Sequence, residues 1–206
     1  MAAEQGLQQL KSARARENIC NAAIGLLAKV GYAETTIARV APDAGFSKVA
    51  VQYHFPTKEE LIAATVEHLL MRTVSSASQR YENVESALMN AWQRLINTSA
   101  YRALLEVLNA ARIDGKLRLR ISAQLLAWGK NLDQQSLDIY QSANTELTSG
   151  QGDAEVVMLL NMTRSFMRGL LIQEQYGVSP EATLSDVGKW IEMVTPLLAL
   201  RADTAR

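Results

Sequence analysis

Thr35-Thr36-Ile37-Ala38-Arg39-Val40-Ala41-Pro42-Asp43-Ala44-Gly45-Phe46-Ser47-Lys48-Val49-Ala50-Val51-Gln52-Tyr53-His54-Phe55 is the stretch whose reading decides the fold. Ile37, Val40, Ala41 and Ala44 recur three and four apart, so a short helix starting at Ile37 carries one small apolar face. Gly45 is free to take the left-handed conformation that ends such a helix and sets the angle to the next. Phe46 then wedges between the two. The Ser47 hydroxyl can accept from backbone N–H groups of the following turn, starting a second helix of about two turns from Lys48 to His54. Two short helices joined at a glycine turn are a helix-turn-helix signature, whose second helix enters the major groove of DNA by its N-terminal end. On that reading Val49 and Ala50 reach base edges or thymine methyls, while Gln52 reads a base or reaches phosphate.

The stretch does not stand alone. Gly31-Tyr32 precedes it and Pro56-Thr57-Lys58-Glu59-Glu60-Leu61 follows, and from about Arg16 to Leu61 the whole resembles the DNA-binding domain of the TetR family of bacterial transcriptional regulators. The resemblance implies an all-α fold with two domains. Residues 1–56 would form an N-terminal three-helix helix-turn-helix domain with its arm, and residues 57–206 a larger helical domain for ligand binding and dimerisation. It also implies a homodimer on an approximately palindromic double-stranded DNA operator, released by a small molecule, as a repressor would be. Thr36, Ser47, Lys48, Tyr53, His54 and Lys58 match positions that in the family contact the phosphate backbone, and such contacts fix register rather than read sequence. Two residues depart from the pattern. Pro42 stands where a polar helix residue is usual, which predicts a kinked or partly 3₁₀ first helix, and Gln52 stands where tyrosine is frequent. A distorted turn at Pro42 would favour a different protein, a helical interaction module of the same fold that binds no DNA; a DNA-binding regulator without a small-molecule ligand is the other alternative.

Composition sets wider bounds. The 206 residues are 48% apolar, enough for a substantial core, and four prolines with few alternating β-branched runs favour helix throughout. A formal net charge of zero does not oppose DNA binding, because Lys11, Arg14, Arg16, Lys48 and Lys58 gather toward the N-terminus and acids such as Glu82, Glu106 and Asp153 lie further on. The single Cys20 excludes an intrachain disulfide and any cysteine-cluster metal site, consistent with a reducing cytoplasm. On the first helix it reads as a small buried hydrophobe, with redox sensing as the alternative. No signal-peptide h-region and no apolar run of roughly 18–20 residues is present, so a soluble, cytoplasmic, non-membrane protein is expected. His54 and His68 are the only histidines and no phosphate loop, nucleophile elbow or paired metal motif occurs, so no catalytic residue, metal or cofactor is expected.

In chain order, residues 1–10 read as an arm without an apolar face. Ile19, Ala23, Leu26, Leu27 and Val30 mark a helix that Gly31 stops, and Tyr32 reads as the core residue locking it onto the helix-turn-helix. Thr57 and Glu60 form a capping-box pattern for a helix running to about Gln79, the element best placed to carry a signal. Further helices are expected over 84–96, 100–113, 116–144, 154–176 and 184–202, with caps at Asn83, Ser99, Asp114 and Asp153 and a flexible break at Ser149-Gly150-Gln151-Gly152.

The last two helices hold more apolar residues than one face needs, Leu170 and Leu197 among them, and by the resemblance they would pair with their copies across a dimer interface. Met71, Met89, Trp92, Tyr101, Trp128, Met162 and Phe166 lie on or near apolar stripes of different helices. As a group they supply the broad, soft contact area that a small apolar or aromatic ligand needs; singly, each also reads as ordinary core.

Overall fold

Apolar residues spaced three and four apart become helices throughout the computed structural model, which describes residues 2–73, 80–202 and 204. The elements in chain order are α1 (Ala2–Glu34), α2 (Ile37–Asp43), α3 (Lys48–His54), α4 (Lys58–Thr73), α5 (Val84–Ala91), a π-turn (Trp92–Ile96), α6 (Ser99–Ile113), α7 (Gly115–Ile139), β1 (Tyr140–Ser142), α8 (Ser149–Glu174), α9 (Pro180–Val194), a 3₁₀ turn (Thr195–Leu197) and β2 (Leu198–Leu200). They sort into two compact units, the first of residues 2–73 with 99–126, the second of residues 80–98 with 127–202 and 204.

In the first unit, Ile19, Cys20, Ala23 and Leu26 of α1 meet Val40 and Ala41 of α2, Val51 of α3, Phe55, and Leu61 of α4 in one buried cluster. Each large side chain so buried contributes about 1.5–3 kcal/mol relative to exposure. The expected N-terminal arm is helical from Ala2: a Gln- and Ala-rich run has high helix propensity and extends α1 without burying it, leaving Leu7 and Leu10 exposed. Regular geometry in α1 breaks at Gly31, which has φ 77°. That left-handed conformation favours glycine; a Cβ there would also stand 2.9 Å from the Glu106 carboxylate, which would have to swing aside. Thr35, fully buried, closes this break by donating its hydroxyl to the Gly31 carbonyl at 2.8 Å. Tyr32 is only half-buried and its hydroxyl points to Asp114 at 3.4 Å, so it ties α1 to the start of α7 rather than locking the helix-turn-helix core. Asp114 caps α7 as expected, accepting from the N–H groups of Lys116 and Leu117 at 3.0 Å.

Thr57 caps α4 through the Glu60 N–H at 3.2 Å, while the Glu60 carboxylate lies 3.7 Å from Arg120. The continuation of α4 toward Gln79 lies outside the described residues. α6 is buried on more than one side, through Tyr101, Leu104, Leu105 and Val107, and packs on α1 and α4.

In the second unit four expectations are corrected. The helix expected to reach residue 144 stops at Ile139, and the last helix stops at Val194 instead of residue 202. Pro196 lacks an N–H and tightens the chain into the 3₁₀ turn; β2 then pairs antiparallel with β1, Tyr140 opposite Leu200. The glycines at 150 and 152 lie in the first turn of α8 rather than in a flexible break, because Gln151 accepts from both the backbone N–H and the hydroxyl of Thr148. Asp153 is not a cap; it accepts from Arg201 at 3.1 Å. Arg164 and Asn161, polar positions on α8, are turned to Asp133 of α7, with Arg164 at 2.8 Å.

Candidate nucleic-acid interface

The turn between α2 and α3 is built from backbone hydrogen bonds. Phe46 N–H reaches the Ala41 carbonyl at 2.9 Å and Gly45 N–H the Pro42 carbonyl at 3.0 Å, with Gly45 at φ 75°. This pair of bonds is a Schellman ending, which satisfies carbonyls that the end of a helix otherwise leaves open. Pro42 occupies the sixth of the seven positions of α2, is exposed, and lines an open groove of about 550 Å³ beside Ala22, Leu26 and Val30 of α1. Its missing N–H denies a bond only to Ala38, itself exposed to water, so the turn keeps its geometry. The kinked or partly 3₁₀ helix expected from Pro42 is not seen: α2 stays α-helical through it, and the bond from Gly45 to Pro42 is one of the Schellman pair.

Ser47 caps α3 by accepting from Ala50 N–H at 3.1 Å, and Thr36 caps α2 through Arg39 N–H at 3.3 Å. With the N-terminus of α3 thus fixed, its two faces separate cleanly. Val51 points into the core and Phe55 follows one turn later. Val49 is 76% and Tyr53 83% exposed, and with Lys48 and Gln52 they form an outward face. Thr36 and Ser47 are exposed beside it; Ala50, His54 and Lys58 are half-buried. Leaving a valine and a tyrosine in water on a helix of seven residues has no folding benefit, and it presents apolar contacts to whatever α3 meets.

Two cations behave differently from the rest. Lys58 donates to the carbonyls of Tyr32 at 2.6 Å and Ala33 at 3.0 Å, and its ammonium stands 4.2 Å from the centre of the Tyr32 ring. Burial pulls its pKa below the ordinary lysine value. The Tyr32 hydroxyl, part-buried and beside Asp114, is pushed up to about 12. Arg16 of α1, which the sequence reading did not single out, donates to the His54 carbonyl at 3.0 Å and lies 4.3 Å above the Phe55 ring. Tyr53 and His54 meet edge to face at 5.3 Å.

The seven residues expected to line a ligand site divide between the units. Tyr101 is buried and Met71 64% exposed in the first; in the second, Trp92 is buried at the π-turn, Met89, Trp128 and Phe166 are half-buried, and Met162 is 51% exposed. Phe166 stacks on Trp190 at 4.7 Å, and the Trp190 indole donates to Thr163 at 3.0 Å. Met162 joins Met158 and Ile172 as exposed apolar residues of α8, with Tyr176 exposed just past its end and Leu184, Met193 and Leu197 exposed on α9 and its end. Among the described residues no group of three His, Cys, Asp or Glu side chains is arranged to hold a metal ion, and no helix is long and apolar enough to cross a membrane.

A capped, outward-facing second helix set by a Schellman turn defines a protein with a helix-turn-helix module on a helical body. Residues 19–65 match the family described as bacterial regulatory proteins, tetR family. Over 69 residues the chain is 39% identical to the HTH-type transcriptional regulator CymR of Pseudomonas putida, covering 34% of each protein. Over 73 residues it is 34% identical to the uncharacterized HTH-type transcriptional regulator YerO of Bacillus subtilis, covering 35% of this chain and 24% of YerO. The chain thus spans about a third of one of these relatives and about a quarter of the other. Along nearly its full length it resembles in fold a Saccharomonospora viridis protein described as a transcriptional regulator in complex with choline, with a TM-score of 0.64, 17% identity, and coverage of 92% of this chain and 100% of that one.

Proposed function

We propose that this protein is a transcriptional repressor that binds an approximately palindromic operator as a homodimer and leaves it when a small apolar or aromatic molecule binds. The observation that carries the reading is the outward face of α3, where Lys48, Val49, Gln52 and Tyr53 stand in water on a helix whose N-terminus is fixed by Ser47. Val49 and Ala50 approach base edges, Gln52 reads or positions, and Thr36, Ser47, Lys48, Tyr53 and His54 run along phosphate. Labour divides near residue 56: the helices before it meet DNA, and those after it serve the ligand and the dimer. The exposed stripes of α8 and α9 support the dimer, since an apolar face of that extent favours a second copy. Met89, Trp92, Trp128 and Phe166 support a ligand site in the second unit, and the similar fold of the choline-bound protein adds that a small organic molecule suits such a body. Occupancy acts through α4, which starts directly behind the recognition helix, by favouring one of two arrangements of the module. The setting is the cytoplasm.

The test is a binding assay on a duplex selected by the wild-type protein from a random-sequence pool. Val49→Glu, which sets a carboxylate against the groove, should weaken binding by about 1–3 kcal/mol per half-site. Equal binding by wild type and variant would remove α3 from the interface. The alternative, an interaction module that binds no DNA, rested on a distorted turn at Pro42, and the paired Schellman bonds across that turn speak against it.

A further inference from the structure

α3 carries an apolar side chain whose exposure the fold does not explain. Val49 is 76% exposed in the first turn of a seven-residue helix, while Val51 two residues on is buried completely. Alanine would suit an exposed helical position better, because a β-branched side chain loses rotamer freedom against the preceding turn. At an interface the same stiffness is useful. Valine in a helix holds essentially one χ1 rotamer, so its two methyls stand wherever the backbone puts them. The backbone is itself held, by the Ser47 hydroxyl accepting from the Ala50 N–H at 3.1 Å and by the bonds from Phe46 to Ala41 and from Gly45 to Pro42 across the turn. Val49, Gln52 and Tyr53 are three and four residues apart and share one face, of which Val49 is the N-terminal member. Helix-turn-helix modules bring the N-terminal residues of the second helix to base edges. Ala50 beside it is half-buried, so Val49 is the apolar side chain that stands clear at that end.

A rigid isopropyl group in the major groove discriminates by what it covers. Thymine presents its C5-methyl there beside an acceptor, cytosine an amino donor, adenine an amino donor and N7, and guanine N7 and O6. Over the thymine methyl, valine removes apolar surface from water on both sides of the contact. Over any of the other edges it strips water from a donor or an acceptor and offers no hydrogen bond in exchange. We propose that Val49 is a specificity-determining residue that reads the C5-methyl group of one thymine in each half-site. This rests on the DNA-binding reading and deepens it, from a helix that meets base edges to one side chain and one group on one base. It has a consequence for cytosine as well. C5-methylation puts the same group at the same place on the pyrimidine ring, so a cytosine at that position regains the valine contact only when it is methylated.

The experiment takes the duplex selected by wild-type protein and replaces its thymidines by deoxyuridine, one symmetric pair at a time. Each replacement deletes a methyl and leaves pairing and every hydrogen-bonding group in place. Wild type and Val49→Ala are titrated on each duplex by fluorescence anisotropy, with circular dichroism to establish folding; should Val49→Ala fail to fold, Val49→Ser decides by the same comparison. One thymine per half-site should matter to wild type, its methyl being worth about fourfold in affinity per half-site, equivalent to about 0.8 kcal/mol for one buried methyl. Val49→Ala should be indifferent to that same replacement, a coupling that a merely structural role for Val49 would not produce. With a C·G pair at the sensitive position wild-type binding should weaken, and 5-methylcytosine should return about fourfold per half-site to wild type and nothing to Val49→Ala. A selected duplex whose thymines can all be replaced without loss, a methyl effect of wild-type size in the variant, or no recovery with 5-methylcytosine would overturn the proposal. Each of those outcomes leaves the DNA-binding reading standing. A wild-type protein that selects no duplex at all fails that reading, and the thymine contact falls with it.

Discussion

Lys48 is the exposed cation at the head of α3, on the same outward face as Gln52. A dimer that lost it from both protomers should show a slope of log K against log salt reduced by about 1.8, at about 0.9 per contact, in a fluorescence-anisotropy titration across potassium chloride. His68 has a different lesson. Its Nε2 lies 2.9 Å from the Asn21 amide oxygen, which also accepts from Arg72 at 3.1 Å, so a second positive charge there is unwelcome. Desolvation, then Arg72, push its pKa below the ordinary 6.5. Below pH about 6.5 the unfolded chain therefore binds a proton that the folded chain refuses, and stability falls with pH until the folded-state pKa is passed. Melting temperatures of His68→Gln between pH 7 and 5 should fall less steeply than those of wild type; parallel curves would show that His68 is not the group responsible. The capping roles of Ser47, Thr57, Asn83 and Asp114 were legible from residue type and spacing, because a cap is a local bond. Arg16 was not, since its contacts with His54 and Phe55 cross nearly forty residues and no local pattern announces them.

The helical elements were legible wherever a stripe of apolar residues ran on, and the misplacements share one cause. β1 and β2 are three residues each and exist only because each is the other's partner, so neither carries a periodic signal of its own. Pro196 did mark the end of α9, but the apolar run Leu197-Leu198-Ala199-Leu200 continued a helical stripe past it. Leu170, which looked like interface, is buried in its own protomer, and the exposed candidates are Met158, Met162 and Ile172 on α8 and Tyr176 just past its end. Met162→Glu would put a carboxylate on that stripe. If α8 is covered by a second copy, the unpaired charge should weaken the dimer by about 3–5 kcal/mol while the protomer stays folded, and sedimentation should shift it to monomer. A wild-type protein that sediments as a monomer at micromolar concentration would take the stripe out of the account. Thr57→Ala removes the cap of α4 seen through the Glu60 N–H, at a cost of about 1 kcal/mol in a thermal or urea melt. A wild-type melt would mean that Arg120 and the bonds from Lys58 to the carbonyls of Tyr32 and Ala33 hold the start of α4 without it.

For the molecule as a whole, a formal net charge of zero means that DNA attraction must come from where charge is placed. The account therefore stands or falls on whether two copies of one small helix read two copies of one short sequence. The most direct measurement is selection from a random-sequence duplex pool with wild-type protein, followed by the stoichiometry of the recovered complex in solution. Two protomers on an inverted repeat are predicted, with half-site centres one helical turn of about 34 Å, or a multiple, apart. Recovery of no common sequence, or of an asymmetric site holding a single protomer, would contradict it.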